Sequence, residues 1–477
     1  MAIDIGSRLE PFWDDYLLDT QQTTAKLQKF SPVKKEKLFE CGEAWEGDGC
    51  DYFNLFCDDG LYRMYYLAWR MSDHIGDTAS AGDAQIRICY AESRDGIHWV
   101  KPNLGLRECC GSKENNIILD KTDQKFDNFY VFKDMNPNCP PEAKYKAITG
   151  DHGPFGKYLK AYYSPDGIHF TAQHMISNSD FYDTLNIAFY DPRIQMYVAY
   201  VRGFHGGGFG VGVRDIRRLT SPDFVTWSES EPIAFNDDLD IALYTNGVSI
   251  YPRAPHIYTG FPKRYIERKQ WTKNYDRLCG KEKRLERFQQ NPRYGLAVTD
   301  CIFMSSRDGV NWTRYQDAFL RPGSENGRNW VYGDCSLTVG FVETPSADRG
   351  ADSELSMLVK ENHWQGIPAE VYRYSIRKDG FAGLHGDWQG KTAVTKELVF
   401  TGDSMIVNFA TSARGSLYVT ITDEEGNKVE SGELFGDSTE RIVDFDGDLS
   451  AFSGKPVTIR FEMTECDLFS MQFANQK

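Results

Sequence analysis

Residues suited to binding and cleaving polar substrates recur along this chain at similar intervals. Asp48 and Asp51, Asp127, Asp183, Tyr244 with Asn246, and Trp330 with Asp334 each stand just before or early in a strand-like run. A second series ends the run that follows: Arg70, Asp151 with His152, Arg202, Lys263 with Arg264, and Glu361 with His363. Carboxylates do acid–base work, arginine and histidine hold hydroxyls or anionic groups, and aromatic faces stack on sugar rings. Gathered in one place, this set has the composition of a carbohydrate pocket. Taken singly, an Asp at a strand entry is equally a turn residue bonding its own backbone. What matters is whether the fold brings them together.

A recurring phrase says that it does. Ser93-Arg94-Asp95-Gly96-Ile97-His98-Trp99 returns as Ser164 to Phe170, Ser221 to Trp227 and Ser306 to Trp312, with a degenerate copy at Ser375 to Phe381. A turn phrase returning every ~55–85 residues marks one supersecondary unit repeated. Asp-Gly makes the turn, because Gly accepts positive φ and Asp can bond the backbone ahead of it. The aspartates of the phrase (Asp95, Asp166, Asp223, Asp308) are therefore structural. Strand-like runs flank each copy, and another pair lies upstream, as in Tyr52–Phe56 and Tyr62–Leu67 or Asn186–Tyr190 and Met196–Tyr200. Four strands per unit and five units predict an all-β chain built on a five-bladed β-propeller. The blades are expected near 40–105, 115–171, 172–230, 231–315 and 316–384. Inner-strand entries and second-strand exits then meet around the central axis on one face.

The remainder of the chain fits around that core. Residues 1–385 are expected to be the propeller and 386–477 a C-terminal β-sandwich of short strands separated by polar turns. Residues 263–294 carry eleven Lys and Arg, a basic and partly helical insertion in blade four. A solvated helix or an oligomer contact is its plain reading, and a lid over the site the sharper one. The net charge of −15 argues against nucleic acid or an anionic membrane surface as partner. Eleven cysteines without metal-ligand spacing predict free or buried thiols. The opening Met1-Ala2-Ile3-Asp4 lacks a leader pattern, and no run of ~18 apolar residues occurs, so a cytoplasmic protein is expected, one that can assemble as a homo-oligomer.

With these features in view, a propeller followed by a sandwich resembles glycoside hydrolase family 32, and the propeller alone resembles families 43 and 68. Asn186-Ile187-Ala188-Phe189-Tyr190-Asp191-Pro192-Arg193, Tyr197-Val198-Ala199-Tyr200 and Asp379-Gly380-Phe381 are similar to phrases of bacterial proteins related to family 32. The family's Asn-Asp-Pro-Asn-Gly, Arg-Asp-Pro and Glu-Cys phrases do not stand intact here. Asp191-Pro192 keeps two letters of the second, at a place where a turn is expected. The resemblance implies a site on the axis fed by acidic residues, and not the family's fructoside substrate.

The resulting expectation is a glycoside hydrolase acting on a small glycoside or a chain end through two carboxyl groups. Asp51 is the expected nucleophile or base, since blade one holds that place in the related families. Glu361 or Asp183 is the expected acid, and Asp127 the transition-state stabiliser or pKa modulator. Arg70, Arg202, Arg264, Trp330 and His363 are expected to bind hydroxyls, carboxylates or ring faces. No cofactor or metal is required by this chemistry. A non-catalytic sugar-binding propeller and a sugar phosphorylase, with Arg202, Lys263 and Arg264 as its anion pocket, are the alternatives.

Overall fold

The computed structural model describes residues 2–70, 86–120, 128–153, 156–208 and 211–475. Its five antiparallel blades form the propeller. Blade one runs Asp51–Asp58, Leu61–Ala68, Arg87–Ser93 and Ile117–Asp120 from inside out. Blade two is Tyr130–Lys133, Tyr145–Gly153, Gly156–Ser164 and Thr171–Ser177, and blade three is Ile187–Asp191, Met196–His205, Val213–Ser221 and Glu231–Pro232. Blade four comprises Ser249–Ile250, Tyr258–Gly260, Met304–Ser306 and Asn311–Arg314, with Ala234–Phe235 pairing parallel at its edge. Ile117–Asp120, read from sequence as the start of blade two, is the outer strand of blade one.

Blade five closes the ring. Its inner strands are Ser336–Leu337, Glu354–Glu361 and Glu370–Arg377, and its outer strand is Val33–Glu40 from near the N-terminus. On the inside, the backbones of Leu55 and Val339 meet, with Leu55 N–H donating to Val339 O at 2.8 Å. Middle strands are covered by a neighbouring blade on each face. Tyr65, Tyr66, Leu67 and Ala68 are accordingly all buried, and the polar–apolar alternation of a half-exposed strand is lost there.

The repeated phrase forms the turn between third and fourth strands. In each of the four full copies one Asp oxygen accepts two backbone N–H groups, as Asp95 does from Ile97 (2.9 Å) and His98 (2.8 Å). Asp166, Asp223 and Asp308 repeat this with Ile168 and His169, Val225 and Thr226, and Val310 and Asn311. Phe224 replaces the glycine in the third copy and still takes the left-handed φ of 65°. Asp191 is likewise part of a turn, buried and accepting from Arg193 and Tyr258.

The expected division at 385/386 does not follow the hydrogen bonding. Ile3–Gly6, Glu10–Pro11 and Lys26–Lys29 pair with Leu398–Phe400, Pro456–Ala474 and Ala382–Gly386, so the first thirty or so residues belong to the C-terminal sheet domain. Ile5, Phe12, Leu17 and Leu18 are buried in its core beside Phe409, Val419, Phe461 and Phe473. Its two longest strands, Ser404–Asp423 and Pro456–Ala474, pair along most of their length. Register shifts near Asn408/Phe409 and Thr411/Ser416 are places where such strands bend.

The degenerate fifth copy of the phrase has become a bolt between the domains. Asp379 is fully buried and accepts from Tyr251 Oη (2.6 Å), Arg253 Nε (2.9 Å) and Ser470 Oγ (3.1 Å). Trp13 Nε1 donates to the Asp379 carbonyl at 2.8 Å.

Candidate active site

Asp51 opens the innermost strand of blade one and is 5% exposed. Three basic side chains face its carboxyl. Lys360, near the end of Glu354–Glu361 in blade five, places Nζ at 3.2 Å, Lys263 places its own at 3.5 Å, and His363 Nδ1 stands at 3.8 Å. Ser336 Oγ donates to Asp51 and accepts from Lys263 Nζ at 3.1 Å. Burial alone would raise the Asp51 carboxyl. The Lys263 and Lys360 ammonium groups and the serine hydroxyl outweigh it and hold the group well below the usual carboxylate range.

Lys360 is completely buried, and its ammonium has three partners. Besides Asp51 it donates to His363 Nδ1 at 2.6 Å and to the Gly333 carbonyl at 3.3 Å. Burial and then Lys360 drive His363 well below its ordinary value, so the ring is neutral and its Nδ1 accepts.

Asp334 precedes the inner strand of blade five by two residues, as Asp51 heads that of blade one. It is 6% exposed, and its Oδ2 accepts from Val331 N–H at 2.9 Å. Burial pushes this carboxyl up to about 7, against the opposing pull of the Val331 hydrogen bond and Lys360. Two buried aspartates in adjacent blades, both in the field of one lysine, are thus shifted in opposite directions. Asp334 and Lys360 also line a cleft of about 330 Å³ that opens past Glu361, Asn362, Asn329 and Lys34.

Above this floor lie three half-buried tyrosines, Tyr52, Tyr244 and Tyr332. The Tyr244 and Tyr332 hydroxyls are 2.6 Å apart, and Tyr52 bonds to Tyr244 as well. Arg202, 3% exposed, lies 5.3 Å from the Tyr244 ring and is ion-paired with Asp183. Asp183 is half-buried and also faces Lys157 at 3.3 Å.

The other expected site residues are distributed more widely. Glu361 is adjacent to Lys360 in its strand and so points to the opposite face. There it pairs with Lys34 at 2.6 Å and accepts from Tyr374 Oη at 2.9 Å, away from Asp51. Arg264 follows Lys263 and turns outward in the same way, to Asp300 and the Gln316 carbonyl. It shares an outer groove of about 430 Å³ with Trp330. Arg70 packs against the loop at Gly47 and donates to the Glu46 carbonyl at 3.3 Å. Asp127 lies outside the described residues. The structure therefore unites Asp51, His363 and Lys263, sets Arg202 and Asp183 beside them, puts Glu361 on the Asp334 cleft but facing away from Asp51, and places Arg264 and Trp330 in the other groove.

The insertion contributes to the wall. From 263 to 296, α1 (Lys273–Arg277), α2 (Lys281–Gln290) and α3 (Pro292–Leu296) follow the strand Lys263–Glu267. Arg284 and Arg287 of α2 are buried, not solvated, and donate to the carbonyls of Trp330 and Trp364 beside Asp334 and His363. Lys360, Ser336, Tyr52 and Tyr332 were not among the residues that sequence reasoning singled out. A lysine closing the apolar run Met357-Leu358-Val359 was the one available signal for Lys360.

No family model and no curated protein matches this chain. Similar solved structures include a fructofuranosidase from Schwanniomyces occidentalis complexed with fructosylnystose (10% identity, 95% of this chain and 99% of that chain, TM-score 0.40). A family 43 arabinoxylan arabinofuranohydrolase from Bacillus subtilis in complex with cellotetraose is another (13%, 90% and 96%, TM-score 0.37). A third is an N-acetylgalactosamine deacetylase from F. plautii in complex with blood group B trisaccharide (13%, 73% and 95%, TM-score 0.43).

Proposed function

We propose that this protein cleaves a glycosidic bond at the axial end of its propeller. Asp51 serves as the ionised carboxylate, nucleophile or base, and Asp334 as the protonated carboxyl that serves the leaving oxygen. The observation that carries the reading is the pair itself. Hydrolysis of a glycoside needs one carboxyl ionised and one protonated at the same pH, and environments that push two carboxyls apart assign those roles. Asp51 is held ionised by two ammonium groups and a serine hydroxyl, whereas Asp334 is held near 7 by burial.

The surrounding groups fit this division of labour. Lys360 orients Asp51, and burial keeps the proton on Asp334 against the pull of that same ammonium. Asp183 and Arg202 at the rim are placed to read sugar hydroxyls, and the tyrosine rings offer apolar faces to a pyranose or furanose. Asp334 replaces Glu361 as acid because Glu361, which borders the same cleft, is turned from Asp51 toward Lys34 and Tyr374.

A panel of chromogenic furanosides and pyranosides tests the proposal. Turnover on one of them, lost in Asp51→Asn and in Asp334→Asn with folding intact, is the expected result. A wild-type protein that turns over none, or one indifferent to both substitutions, sinks the reading.

A further inference from the structure

We infer that the rim of the axial site seats an oxyanion of the substrate, a carboxylate or a phosphoryl group, on Lys263, Arg202 and the phenol of Tyr244. The inference names the substrate class for the site proposed above and rests on that site being a substrate pocket.

The argument is one of donors and their partners. Lys360 is excluded, because Asp51, His363 and Gly333 take all three of its N–H bonds. Lys263 has Ser336 Oγ and the more distant Asp51 as acceptors, and its Nζ lies 5.8 Å from the Tyr244 ring. Among the described residues these two acceptors leave a third N–H of Lys263 for a ligand. Arg202 is 3% exposed, yet its Nε makes no hydrogen bond among the described residues. Both cations flank one phenol. Burial would raise Tyr244, but Arg202, hydrogen bonds with Tyr332 and Tyr52, and Lys263 outweigh it and hold it below its ordinary value. Arg202 at 5.3 Å and Lys263 at 5.8 Å from the Tyr244 ring make the local potential positive, in a chain whose net charge is −15.

A neutral sugar would leave this cluster net positive, because four cations, Lys263, Lys360, Arg202 and Lys157, face two carboxylates, Asp51 and Asp183. Asp51 is already engaged by two lysines and Asp183 by Arg202 and Lys157, so the matching group has to come from the ligand. A guanidinium, an ammonium and a phenol on one rim are the donors that bind carboxylate or phosphate oxygens with charge-assisted hydrogen bonds.

Calorimetric titration of the full chain at fixed ionic strength tests this, with glucuronate, inorganic phosphate and glucose as probes. One of the two anions should bind at least about tenfold more tightly than glucose, and which one does so identifies the source of the oxyanion. Lys263→Met should weaken that anion by about tenfold or more, and Tyr244→Phe by a smaller factor, with glucose unaffected. Should Lys263→Met fail to fold, Tyr244→Phe and the wild-type preference carry the test. Equal binding of all three probes overturns the inference, as does a folded Lys263→Met that binds the anion like wild type. Anion binding without turnover on any glycoside would sink the hydrolytic proposal alone; turnover on neutral glycosides with no anion preference would sink this inference alone.

Discussion

Lys360 Nζ stands 3.2 Å from Asp51 Oδ2, so a fully buried ammonium from blade five holds the carboxylate that heads blade one. Removing that charge relaxes one of the forces that depress Asp51. In Lys360→Met the Asp51 carboxyl should titrate at higher pH. The acidic limb of the pH–activity profile then moves upward, by about one unit or more. A profile that only falls in height, with its acidic limb unmoved, would mean that Lys360 does not act through Asp51.

Asp334 makes the opposite contribution to stability. Its folded value near 7 lies above its ordinary 3.8, so the folded state binds the proton more tightly than the unfolded one. Stability contributed by the protonated group is complete below the unfolded value and is lost as pH rises from about 4 to 7. The penalty at neutral pH is of the order of 4 kcal/mol. Asp334→Asn removes it, so the variant should gain several degrees in Tm over wild type at pH 7.5 but little at pH 4.5. Thermal melts at the two pH values check this.

Glu361 and Asp334 offer a contrast within one blade. Glu361→Gln breaks a partly exposed pair with Lys34 and should change kcat/KM less than about tenfold. Asp334→Asn should lower it by about a hundredfold or more. The reverse ranking would restore Glu361 as the acid and remove Asp334 from the mechanism.

Asp379 joins blades four and five to the C-terminal sheet through Tyr251, Arg253 and Ser470. Asp379→Ala leaves Arg253 without its buried partner and should cost about 3–5 kcal/mol in equilibrium denaturation. A loss within ~1 kcal/mol would show that the contact is dispensable.

Much of this architecture is legible in the sequence, for a local reason. The Ser-x-Asp-Gly turns are satisfied by their own backbone, so each copy announces itself without help from distant residues. The placing of Asp51, Lys263, Asp334 and His363 near one end of the axis follows from the repeat.

What escapes the sequence is register and long-range pairing. Lys360 and Glu361 are neighbours with opposite outcomes, and so are Lys263 and Arg264. In strands buried on both faces no alternation tells which of two adjacent charges turns inward. The first thirty residues join the C-terminal sheet through partners more than 350 positions away, as Ile3 does with Leu398, and no local pattern marks that. Ser336 reaches Asp51 only because blade five meets blade one.

The most direct test of the account is a comparison of wild type and Asp51→Asn on whichever glycoside of the panel is turned over, with circular dichroism and melting to verify folding. A loss of about a thousandfold or more in kcat, in a variant that keeps the native fold, is the predicted result. A folded Asp51→Asn with near-wild-type turnover would contradict the claim that the axial carboxylate performs the chemistry.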